Sequence, residues 1–167
     1  MATLIGIIVG LGTLIWAASR LLEGMSDAKY AARRFRWTHK AKRGERVGSE
    51  IHDPREAAAV LLLQMAVYET PLDELDLTDV RSALVGDIAL DDDDADGLIE
   101  FARLVLKDVG DAANALRKYI NPINEACTRA QKDAFLGSLE AISGGAEEAL
   151  DVQKQFLQSI RRLLLNA

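Results

Sequence analysis

A single cysteine, Cys127, stands in this chain of 167 residues, so it can form neither an internal disulfide nor a cysteine-based zinc cluster. It falls among apolar positions of an expected helix and reads as core, in keeping with a reducing compartment. Aromatic residues make up only 5% of a chain that is 49% apolar, so the core must be built from Leu, Ala and Val. No run alternates β-branched with polar residues, which argues against strands and for an all-α fold. The two histidines, His39 and His52, lie apart from any nucleophile signature, and HExxH, P-loop and GxSxG patterns are absent. The expected reading is non-enzymatic, with no small-molecule substrate and no resident cofactor.

Charge is the next absence, and it is local. From Ala2 to Ser19 the sequence ATLIGIIVGLGTLIWAAS holds no ionisable side chain, and Arg20 follows at once. At 1.5 Å per residue, such a run reaches about 27–30 Å as a helix, close to the thickness of a bilayer's hydrocarbon core. A cleaved signal peptide would show a basic start and a small-x-small site. An interfacial helix would show a charged face. Neither is present, and Trp16 sits where an indole would rest among headgroups. Residues 1–22 are therefore expected to form a single transmembrane anchor. Within it Gly6 and Gly10 form a GxxxG, a face on which helices approach closely in lipid. Its partner would be another membrane-protein subunit or, in a homodimer, a second copy.

Positive charge then concentrates. Residues 1–52 hold nine Lys/Arg against four Asp/Glu, whereas residues 53–167 hold eleven against twenty-two. Arg20, Lys29, Arg33, Arg34 and Arg36, followed by Lys40, Lys42, Arg43 and Arg46, make residues 23–52 a basic juxtamembrane segment and linker suited to anionic lipid. Tyr30, Phe35 and Trp37 are interleaved, a pattern also found in nucleic-acid binders. The acidic domain that follows would repel a phosphate backbone, so membrane lipid is the expected contact and nucleic acid is not. By the positive-inside rule the C-terminal domain is expected to lie in the cytoplasm.

Residues 53–167 read as a bundle of about six helices. Asp53 is an N-cap with Pro54 behind it and Glu56 three past the cap. Glu56–Glu69 is apolar nearly all round, as a central helix must be. Thr78 or Asp76 caps the next helix, through Val80, Leu84, Val85 and Ile88. A third is expected from about 95 to 108, and a fourth from Gly110-Asp111 to Ile120. Asn121-Pro122 is expected to end that one and open a long helix through Cys127, Ala130, Ala134, Phe135, Leu139 and Ile142. Ser143-Gly144-Gly145 stops it, and a 3.6-periodic helix through Val152, Phe156, Ile160 and Leu164 ends the domain.

Pro54–Leu84 and Arg129–Leu164 look alike, each an apolar helix, a tight turn and an amphipathic helix. This resembles the TerB-like (tellurite-resistance) helical domain, an internally duplicated bundle, over about residues 53–165. The resemblance implies acidic turns that attract divalent cations, matched here by Glu69-Thr70 with Asp73, Glu74 and Asp76, and by Gly144-Gly145 with Glu147 and Glu148. The first turn lacks the family's Gly and the second its Asp.

One further pattern is Asp92-x-Asp94-x-Asp96-Gly97-x-Ile99-Glu100, which follows a calcium-loop signature. Arg103 stands where the loop's final Glu belongs, and the same acids suit a helix start. Asp92, Asp94 and Asp96 are the candidate metal residues, for weak divalent-cation attraction at most. The function expected is that of an inner-membrane adaptor or accessory subunit whose acidic domain binds a partner protein. The alternative is a membrane-tethered divalent-cation or stress response protein of the tellurite type.

Overall fold

The computed structural model describes residues 51–86, 88 and 91–165. The expected span, its Gly6 and Gly10, and the basic residues Arg20, Lys29, Arg33, Arg34 and Arg36 lie outside the described residues. Among the described residues there is no strand, and no helix is long and apolar enough to cross a membrane. The fold is all-α. Six helices have nine residues or more, α1 (Pro54–Val67), α2 (Thr78–Gly86), α3 (Asp92–Val109), α4 (Leu116–Ala126), α5 (Arg129–Ile142) and α7 (Asp151–Leu165). A single-turn helix, α6 (Gly145–Glu148), precedes α7, and a 3₁₀ turn, Ala112–Ala115, precedes α4.

The centre is α1. The Asp53 carboxylate accepts the Arg55 backbone N–H at 2.9 Å, and Pro54 takes the first helical position, where a missing N–H costs nothing. Every residue from Glu56 to Ala66 is buried. Successive helical residues point about 100° apart, so Leu61, Leu62 and Leu63 aim at three different neighbours. Helices α2, α3, α4 and α5 supply the surround, and α7 packs across α4 and α5. Burying each such leucine stabilises by about 1.5–3 kcal/mol. The polar exception in mid-helix, Gln64, is also buried; its side-chain oxygen accepts the Ala112 N–H at 2.8 Å.

Several boundaries differ from the sequence reading: α2 stops at Gly86, short of Ile88, and α4 begins at Leu116 behind the 3₁₀ turn. Helix α3 starts at Asp92, not near 95, because Asp91 is its N-cap and accepts the Asp94 N–H at 2.7 Å. The acidic run is the first turn of a helix, and four carboxylates there suit its positive end. Pro122 does not open a helix; it lies inside α4. It forgoes one backbone hydrogen bond, but the buried face of Leu116, Tyr119, Ile120, Pro122 and Ile123 carries the helix through. The real break is Cys127 (φ −101°, ψ 140°). Thr128 then starts α5 with a capping box, its N–H donating to the Gln131 side chain at 2.8 Å and its hydroxyl accepting the Gln131 N–H at 3.3 Å.

The two similar segments also part company in the fold. Helix α5 buries one face, Phe135, Leu136, Ser138 and Leu139, and leaves Ala130 and Ala134 exposed, whereas α1 is enclosed all round. The glycine stop is as expected. Gly144 and Gly145 have φ of 75° and 87°, a region that L side chains avoid. Helix α7 buries Gln153, Phe156, Ile160 and Leu164, with Val152 exposed.

Candidate functional site

Helices α1 and α4 run antiparallel. The end of α1 is tied to the start of α4 through Gln64 and Ala112, and Tyr68 donates to Asp111 at 3.0 Å beside it. At the other end, Pro54, Arg55 and Ala58 of α1 line one groove with Ile123 and Ala126 of α4, Cys127 just after it, and Phe135 of α5. This groove, of about 300 Å³, opens where residues 1–50 join the domain. Its lining is chiefly apolar, and Arg55 at its edge is engaged by the Asp53 carboxylate at 3.3 Å.

Cys127 lies at the lip of that groove, half-buried and packed against the core rather than inside it as its sequence context suggests. Burial pushes its thiol up, Lys132 draws it down and Asp53 raises it, with burial the largest cause. A thiol held protonated at neutral pH is a poor nucleophile and metal ligand. The groove offers shape and chiefly apolar contact.

The far end of α4 is different in character. Asn114, Leu116, Arg117 and Lys118 there face Ser159, Arg162 and Leu163 of α7 across a groove of about 490 Å³. No acidic residue lines it. Sequence reasoning missed this site, since positions 114–118 and 159–163 meet only through the packing of α4 on α7. The scattered cations of an acidic segment carried no signal that they would converge.

The candidate metal residues adopt another geometry than a cation loop. Asp92, Asp94 and Asp96 sit on the opening turns of α3, a helix where a calcium loop needs a bend, and Gly97 is buried within it. Arg81 of α2 holds two of them, reaching Asp92 at 3.2 Å and forking onto Asp96 at 2.7 and 3.1 Å. The Asp96 hydrogen bond is the largest cause raising the pKa of that guanidinium. Arg103 extends to Asp73 at 3.8 Å and Lys107 to the same carboxylate at 3.7 Å, so a turn acid also faces cations of its own chain. Asp76 accepts both the hydroxyl and the N–H of Thr78, which holds its carboxyl below the usual range. Among the described residues no group of three or more His, Cys, Asp or Glu side chains is placed to hold a metal ion. His52 is exposed beside the α1 cap.

No family model matches the chain, and neither a curated protein nor a solved structure does.

Proposed function

We propose that the chain is a non-enzymatic, single-pass adaptor or accessory subunit of the bacterial inner membrane, whose acidic helical domain faces the cytoplasm and binds a partner protein. The observation that carries this reading is the uncharged Ala2–Ser19 run with Arg20 and eight further Lys/Arg behind it and none ahead. The grooves at the two ends of α4 support the binding role, since they give the domain recessed surface at both poles. The TerB-like resemblance enters as part of the proposal. It is supported by the enclosed apolar α1 and weakened by the one-faced α5.

The divalent-cation alternative loses ground on one observation. Arg81 is already paired with Asp92 and Asp96, two of the three candidate metal residues. A compartment-sensitive reporter fused after Ala167 tests the proposal. Activity only of the cytoplasmic form is expected, and activity of the periplasmic form would overturn it.

A further inference from the structure

The groove between the start of α4 and the end of α7 stands out against the charge of its own domain. Residues 53–167 carry twenty-two acids and eleven cations. Most of the cations are spent on carboxylates: Arg55 on Asp53, Arg81 on Asp92 and Asp96, Arg103 and Lys107 on Asp73, Arg129 on Asp133, Arg161 on Glu140. Among the described residues neither Arg117 nor Arg162 has a carboxylate within ion-pair reach. Both line this groove, together with Lys118, and both are exposed. In a domain with twice as many acids as bases, two guanidinium groups without carboxylates have been brought together from different helices.

We propose that this groove is the docking site for a carboxylate-rich peptide segment of a partner protein, which names the partner chemistry of the adaptor reading and rests on it. A guanidinium is a planar fork that takes a carboxylate through two parallel hydrogen bonds, and Arg117 and Arg162 present two such forks. Asn114 and Ser159 add neutral hydrogen-bonding groups between them. The floor is apolar, with Leu116 and the half-buried Leu163, so the methylenes of a glutamate can rest on it while its charge meets the rim. The acidic remainder of the domain adds selectivity. An acidic segment is repelled over most of the surface and attracted at this pole, so the field itself sets where it lands.

The test uses the full chain in a non-ionic detergent, with a fluorescein-labelled dodecapeptide holding six Glu among Gly and Ala, and its Gln counterpart, read by fluorescence polarisation. The Glu peptide is expected to bind at least tenfold more tightly than the Gln peptide. Arg117→Glu with Arg162→Glu should remove at least tenfold of that affinity. The milder Arg117→Gln with Arg162→Gln should remove at least threefold, with circular dichroism confirming an unchanged helical fold in both. Lys40→Glu with Lys42→Glu, in the basic segment, should change it less than twofold. Equal binding of the Glu and Gln peptides overturns the proposal, as does a loss that follows the Lys40/Lys42 pair instead of the arginines. Displacement of the peptide by equimolar inorganic phosphate would make the groove a simple anion site, and displacement by phosphatidylglycerol vesicles a lipid site; either result overturns it. None of these outcomes depends on topology, so the groove can fail while the cytoplasmic reporter still reads as expected.

Discussion

The side-chain oxygen of Gln64 accepts the backbone N–H of Ala112 at 2.8 Å, across 48 positions of sequence and inside the core. It joins the last turn of α1 to the turn that launches α4, and thereby sets which ends of the two helices meet. Leucine at position 64 preserves volume but orphans a buried donor. An unsatisfied buried group costs about 1–3 kcal/mol. Gln64→Leu should therefore lower unfolding free energy by about that much in urea titrations. Amide exchange should accelerate at Ala112 and Ala113 before it does along α1.

Arg81 bridges Asp92 and Asp96 at the acidic start of α3. With it in place, millimolar calcium or magnesium should leave the melting temperature of the chain within a degree, whereas a micromolar site at millimolar ion would add about 4 kcal/mol. Arg81→Ala strips the cation from Asp92 and Asp96. The variant should melt lower and recover part of that loss when magnesium is added. A large calcium-dependent rise in the unaltered chain, abolished by Asp94→Ala, would restore the cation-sensing alternative.

Tyr68 sets an alkaline limit. Burial, then the nearby Asp111 charge and the hydrogen bond to it, raise its phenol above the ordinary range near 10. The protonated phenol is favoured in the folded state, so its contribution is fully present below the unfolded pKa. That contribution drains away as pH climbs above about 10 toward the folded value. Urea midpoints should hold from pH 7 to 9 and fall above 10. Tyr68→Phe should lower the plateau by about 1 kcal/mol and flatten the alkaline fall.

In the proposed anchor, Gly6→Ile and Gly10→Ile keep the run hydrophobic while blocking close backbone approach. Both variants should insert as the unaltered chain does. Each should lose at least half of any membrane subunit that co-purifies in mild detergent. Full retention by both would make the anchor a tether alone.

The parts of the fold legible in the sequence are those where one local signal acts without competition. Asp53-Pro54 marks the start of α1, the apolar body after it marks a centre, and Gly144-Gly145 marks a stop. Where two signals compete, the more familiar one does not decide. Pro122 reads as a breaker, yet the buried face of α4 outweighs one lost hydrogen bond, while Thr128 and Gln131 spell the true boundary. The Asp92–Glu100 pattern suits both a loop and a helix start, and the Asp91 cap on a helix that begins at Asp92 separates them. The basic groove could not be read at all, because Arg117 and Arg162 belong to helices 45 positions apart in sequence.

The enclosure of α1 has a consequence for synthesis. Its partners α2, α3, α4 and α5 all follow it, and the Gln153 side chain of α7 donates to the buried Met65 carbonyl at 3.1 Å. At about 5–20 residues per second the ribosome needs several seconds to cover that distance. Throughout, Leu61, Leu62, Leu63 and Met65 have no finished place to go. Nascent chains arrested between Val67 and Gln153 should therefore bind holding chaperones strongly, and release them once α7 is out.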